Sequence, residues 1–252
     1  MTASESQQTR EFDKESARFV GAHLGAYPTA PEWVRTSPVL REGPISSVLD
    51  VGCGPGLFLE DLVRTLHAER GVGVELSTTA VDLLRDHFSH QRSLEFQRAS
   101  AHELPFDSDS FDVVVCWSVL HWVGRNEYLQ ALGELVRVTR RHLIIMDFVG
   151  GHPYRVPYAH DERFYTYKTD FVPLVLGSGI MVLREDRRWW DGHSPGSVSP
   201  LALEDLEPFP GTELNYHARR GAIFTKDYSA LPLHVESDFA RVDAPREPIT
   251  DH

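Results

Sequence analysis

The amino-acid sequence predicts an α/β chain: a doubly wound, mostly parallel sheet, closed by an antiparallel strand pair and carrying an aromatic-rich lid insertion. Three observations lead there. Short apolar runs recur as far as Phe148, separated by stretches whose apolar residues return at helical spacing, the pattern of strands and helices alternating through a parallel sheet. The run Val48, Leu49, Val51, broken only by Asp50, leads into Gly52, Gly54, Pro55 and Gly56, and a helical pattern starts at once behind them. Between Gly150 and Pro200 about fifty residues, crowded with tyrosine, phenylalanine and tryptophan, stand where a short connection would suffice.

Taken in order, Met1 to about Arg10 has the composition of a disordered segment, after which Phe12, Phe19, Val20 and Leu24 share one helical face. Pro28, Pro31, Pro38 and Pro44 then interrupt regular structure, so residues 1–44 read as an N-terminal helix and linker. The core is expected over 45–149. Leu59, Leu62, Val63 and Leu66 form the helix behind the glycine turn, and Gly71 to Glu75 a second strand. Ser77 caps a helix bearing Ala80, Val81, Leu84 and Phe88, and Leu94 and Phe96 mark a third strand. Phe111 to Trp117 is apolar but for Asp112, as a strand covered on both faces should be. Asn126 is expected to cap a helix with Tyr128, Ala131, Leu132, Leu135 and Val136, and His142 to Phe148 to be the fifth strand. Residues 150–198 are read as the lid, with a dimer interface as the alternative use of its aromatic surface. Residues 199–230 return to the core through a short helix at Leu201, Leu203 and Leu206 and two strands between Glu213 and Thr225; 231–252 reads as a tail.

A glycine-rich turn brings bare backbone up to a ligand, and the helix N-terminus behind it favours anionic groups. About twenty residues further on, Glu75 closes the second strand, where a carboxylate can accept from both hydroxyls of a ribose. The turn is G-C-G-P-G rather than G-x-G-x-x-G, a departure from the dinucleotide fingerprint at its third glycine. With these residues in place the chain resembles the class I S-adenosylmethionine-dependent methyltransferases, in particular their small-molecule branch. VLDVGCGPG resembles the family's first motif, GVGVELS its second, ASAHELPF its adenine segment and FDVVVCWSVLHWV its fourth strand, in order from about Ser46 to Phe148. The resemblance implies a Rossmann-like sheet and S-adenosylmethionine as cofactor. It places Asp50, Gly52, Cys53, Gly54 and Gly56 at the methionine end, Glu75 and Leu76 at the ribose, and Ser100, Ala101 and His102 around adenine. Ser100 stands where the family usually has aspartate, so adenine recognition is expected to be weaker or shared with a backbone carbonyl.

The formal charge of −12 argues against a nucleic-acid or anionic-membrane binder, and a small-molecule substrate is expected instead. No apolar run of about 18 residues occurs and MTASESQQTREFDKES is too polar for a signal peptide, so a cytoplasmic chain is expected. Cys53 and Cys116 lie in apolar contexts as free thiols. His87 and His90 are the closest histidines, with no third ligand near, so no metal is expected.

Methyl transfer to a hydroxyl requires removal of its proton, and His121, just past the fourth strand, is the side chain suited to take one near neutrality. His160, beside Asp161 in the insertion, is a second candidate base. Trp117, Ser118 and Trp122 flank the same strand end and line the pocket; Tyr154, Tyr158, Tyr165 and Lys168 are candidate substrate contacts from the lid. The basic residues Arg155, Arg163, Lys168, Arg184, Arg187 and Arg188 would suit an acidic or phosphorylated substrate or lie solvated. These readings favour O-methylation of a sugar-like or natural-product metabolite. The rivals are a small-amine N-methyltransferase, a silent cofactor-binding scaffold and, less compatible with the turn, a nicotinamide oxidoreductase.

Overall fold

The structure, a computed structural model, describes residues 14–25, 29–150, 153–158, 161–190 and 218–230, without the side chains of 158, 161–164, 190 and 230. The main sheet takes β1 (Ser47–Val51), β2 (Arg70–Glu75), β3 (Leu94–Arg98), β4 (Phe111–Trp117), β5 (Thr139–Phe148), β8 (Met181–Trp190) and β9 (Ala218–Lys226) in the order β3-β2-β1-β4-β5-β9-β8. The first five run parallel and β9 lies antiparallel to both β5 and β8. A separate antiparallel pair is made by β6 (Tyr154–Tyr158) and β7 (Asp161–Lys168).

Alternation along the strands divides the core in two. Val48, Val113, Val115, Ile144, Met146 and Ile223 face one layer, built on α2 (Glu32–Arg35), α3 (Leu57–Leu66), α4 (Thr78–His87) and the helical residues 14–23, here α1. Leu49, Val114, Cys116, Leu143, Ile145 and Phe224 face the other, built on α5 (Tyr128–Val138) and α6 (Val172–Leu176). Residues of opposite parity on one strand thus serve opposite faces, which is why β4 is apolar but for Asp112 and β5 is apolar from Leu143 to Met146. Asp112 in β4 accepts from Ser46 N at 2.8 Å and from Arg140 Nη2 at 2.6 Å, at the end of the sheet away from the glycine turn. Burial would raise its carboxyl, but Arg140 and the two backbone N–H groups hold it below the usual range.

Four local expectations change. The closing pair is not a hairpin within Glu213–Thr225; its strands are β8, which lies inside the stretch read as insertion, and β9. β8 carries a run of charges, Arg184 to Arg188, whose side chains form ion pairs: Arg184 with Glu42 at 2.6 Å, Asp186 with Arg220 at 2.7 Å, Arg188 with Asp186 at 3.1 Å. Arg184, Arg187 and Arg188 therefore face acids of the chain itself. The proline-rich linker is packed: Pro31 starts α2, Pro38 precedes a 3-10 turn, and Val34, Val39 and Leu40 are buried. Glu127 rather than Asn126 precedes α5, without a side-chain cap. The helix expected at Leu201–Leu206 and the tail lie outside the described residues.

Candidate active site

The carboxyl ends of β1, β2, β4 and β5 come level, since Val51 pairs with Val74 and Cys116, and Trp117 with Met146. Ligands of open parallel sheets bind at that edge. Gly52, Gly54 and Gly56 all have positive φ, +71°, +48° and +78°. A Cβ on Gly52 would overlap Val119 and one on Gly56 would sit 2.8 Å from Phe88, so these two are closed by the protein's own packing. Gly54 is different: its nearest neighbour is Phe19 of α1 at 3.7 Å, leaving the crest of the turn open to a ligand. Cys53 is buried behind the turn, where burial pushes its thiol well up, and a Cβ on Gly73 would crowd its Sγ.

Glu75 closes β2. Its Oε1 accepts from Leu76 N at 2.9 Å and from Ser16 Oγ of α1 at 3.2 Å, while Oε2 has no hydrogen-bond partner among the described residues. Leu76 leaves its side chain exposed beside this carboxylate. Asp50 is 2% exposed, and no described residue hydrogen-bonds its carboxyl. Burial, then the neighbouring Glu75, push it up to about 7. Ala99 N donates to Glu75 O at 3.1 Å, drawing the following segment to the same edge, where Ser100 Oγ lies 2.9 Å from His102 Nδ1. The serine at the aspartate position is thus tied to a neighbouring ring. Beyond it Glu134 and Arg137 clamp the backbone of Leu104 and Phe106.

Ser118 ends β4 with φ +57°, a left-handed non-glycine that turns the chain into the 3-10 turn Leu120–Trp122. Asp147, 2% exposed at the end of β5, holds that turn: its Oδ2 accepts from the N–H groups of Val119, Leu120 and His121, and its Oδ1 from Phe148 N. The same Oδ1 lies 2.7 Å from His121 Nδ1. A carboxylate only accepts, so Nδ1 carries a hydrogen; in the neutral ring Nε2 would then hold the lone pair, and it has no hydrogen-bond partner among the described residues. Burial raises the Asp147 carboxyl, but His121, Phe148 N and Lys168 outweigh it and hold it below the ordinary range. The imidazole, 6% exposed, lies beside Trp122 and edge-on to Phe148.

Sequence reasoning singled out His121 but not Asp147, whose partners come together only when β4 and β5 pair. It also missed Ser16 and Phe19 as neighbours of the turn, and Arg219, which donates to Ser118 Oγ at 3.1 Å. Trp117 packs edge-on against Phe58 of α3. From the insertion, β7 packs on the Leu120–Trp122 turn. Lys168 is 2% exposed rather than solvated, its Nζ 4.1 Å from the Phe148 ring centroid. Tyr154 pairs with Lys168 in register; Tyr165, 42% exposed, lies under Arg155. His160 and the side chain of Tyr158 lie outside the described residues.

The strand order, the glycine turn after β1 and the acid closing β2 together give the fold of the class I S-adenosylmethionine-dependent methyltransferases. Residues 48–142 match the methyltransferase domain family. A phthiotriol/phenolphthiotriol dimycocerosates methyltransferase of Mycobacterium leprae is 28% identical over 188 residues, 72% of this chain and 68% of the relative. A ubiquinone biosynthesis O-methyltransferase of Coxiella burnetii is 34% identical over 77 residues, 30% of this chain and 32% of the relative. For most of the curated relatives it matches, the chain spans about a third of their length. A chain from the complex between the Haloferax volcanii Trm112 methyltransferase activator and a methyltransferase superposes with a TM-score of 0.57 at 18% identity, over 89% of this chain and 99% of that one. S-adenosylmethionine is the cofactor of this class, and the site suits it: an open glycine crest, a carboxylate with a spare oxygen, and a buried carboxyl with no partner of its own.

Proposed function

We propose that this chain methylates a hydroxyl of a small metabolite, with His121 as general base and Asp147 as the group that positions it. The observation that carries the reading is the 2.7 Å His121–Asp147 contact at the ligand-bearing edge, with Nε2 left to accept. Asp50 and the glycine turn would hold the methionine end of the cofactor, Glu75 and Leu76 its ribose, and Ser100 to His102 its adenine. When bound, S-adenosylmethionine supplies an electrophilic methyl on a sulfonium, whose displacement leaves a neutral thioether.

The protein's own work is then alignment and a proton. His121 Nε2 takes the hydroxyl proton as the oxygen acquires its new bond, and Asp147 fixes the tautomer and stabilises the imidazolium that results. The β6–β7 hairpin, packed on the His121 turn, would cover the acceptor and exclude water. The O-methyltransferase among the relatives supports oxygen as acceptor, and the net charge supports a substrate other than nucleic acid.

The test is the pH dependence of S-adenosylhomocysteine release with hydroxylated acceptors. His121→Gln is expected to lower kcat by about 100-fold or more while cofactor affinity stays within about twofold, and to remove the acid limb of the profile. An unchanged kcat would overturn the base assignment.

A further inference from the structure

We propose that Asp50 is a proton-linked reader of the cofactor's positive charge: its carboxyl is protonated in the empty site and ionises when the cationic methionine end enters. The inference rests on the cofactor reading above and concerns what that binding does to the protein.

The geometry is a pair of carboxyls with no cationic side chain to offset them among the described residues. Asp50 lies one residue before the end of β1, opposite Gly73, and Glu75 closes β2 two residues later, so the two acids sit side by side at one edge of the sheet. Glu75 has Leu76 N and Ser16 Oγ to hold its charge. Asp50 has no such donor among the described residues, and its side chain is almost wholly buried. The titratable groups that face it are Glu75 from β2, Cys53 from the turn and Cys116 from β4. Both thiols are pushed well up by burial and stay neutral, and no described lysine, arginine or histidine contributes charge at Asp50.

A buried carboxyl beside a carboxylate and away from any cation minimises its energy by keeping its proton. This accords with its rise to about 7. An arriving sulfonium and ammonium reverse the sign of the local field, so the ionised form becomes the favoured one and the proton leaves to solvent. Cofactor binding therefore releases protons below about pH 7 and none well above it, and its affinity rises with pH over that window.

Titration calorimetry of the full chain with S-adenosylmethionine, in phosphate and in Tris at each pH, reads the protons directly from the difference in apparent heat. The expectation is close to one proton released at about pH 6, about half at pH 7 and almost none at about pH 8.5. Methylthioadenosine, which shares the nucleoside but lacks the charged end, is expected to bind without release. Asp50→Asn should abolish the release and weaken S-adenosylmethionine by about tenfold or more at high pH. Its fold is checked by melting: raising a carboxyl's pKa in the folded state costs stability as pH rises toward that pKa, so the asparagine variant should keep stability that the wild type loses between about pH 4 and pH 8. Binding without proton release, or equal release from Asp50→Asn, would overturn the proposal while leaving the cofactor reading intact. No binding of S-adenosylmethionine at any pH would overturn both.

Discussion

Asp147 performs two tasks with one carboxylate. Four backbone N–H groups and an imidazole converge on it, so it shapes the turn after β4 and sets the hydrogen of His121 together. A carboxylate with that many donors is stable when buried, which is why the Asp147 carboxyl is held low where that of Asp50, without donors among the described residues, is pushed up. His142 is a third buried titratable group and has another meaning. It lies on β5 against Thr225 with Nε2 unpaired, and burial and then Arg141 push its pKa down to about 4. Below about pH 6.5 the unfolded chain binds this proton and the folded one does not, so stability falls as pH drops toward 4. Between about pH 7 and pH 5 this single histidine should cost about 2 kcal/mol. His142→Gln is expected to flatten the acid side of a urea-unfolding series by about that amount, and an unchanged slope would contradict it.

Among the elements, α1 is tied to the site more closely than its place at the chain's edge suggests. Ser16 reaches Glu75, Phe19 stands over Gly54, and Val20 is buried among residues of the α2–α4 layer. The helix therefore borders the open glycine crest, so its seating and cofactor binding are expected to be linked. Val20→Asp is expected to undock it, raising hydrogen exchange across residues 14–25 and weakening S-adenosylhomocysteine by about tenfold or more. Wild-type affinity in that variant would show that α1 merely decorates the fold. The β6–β7 pair is anchored comparably: Arg125 from the other side of the His121 turn donates to Thr169 Oγ1 and covers the Tyr167 ring at 5.1 Å. Arg220 ties β9 to Asp186 of β8 and, at 2.5 Å, to Asp170 just before α6.

At the scale of the whole molecule, the residues legible in the sequence are those whose roles are local. A turn with three positive φ angles needs glycine whatever surrounds it, and an acid closing a strand can be found by position alone. Asp147 was not legible in that way, because its partners become neighbours only when Trp117 and Met146 pair across β4 and β5. β8 was hidden for a similar reason: MVLREDRRWW reads as a solvated, charged segment until Arg220 and Glu42 supply its opposite charges. Ser16 was invisible because a serine on an amphipathic helix carries no pattern that points at a carboxylate on another strand.

All of these parts converge on one claim, that the edge formed by β1, β2, β4 and β5 moves a methyl group to an oxygen using His121. The most direct measurement is transfer from S-adenosylmethionine carrying a deuterated methyl, with mass spectrometry and NMR locating the label on hydroxylated acceptors for the wild type and His121→Gln. The account predicts deuterated methyl ether product from the wild type and a loss of about 100-fold or more in the variant. Label found on nitrogen or carbon, or transfer equally fast without the imidazole, would contradict it.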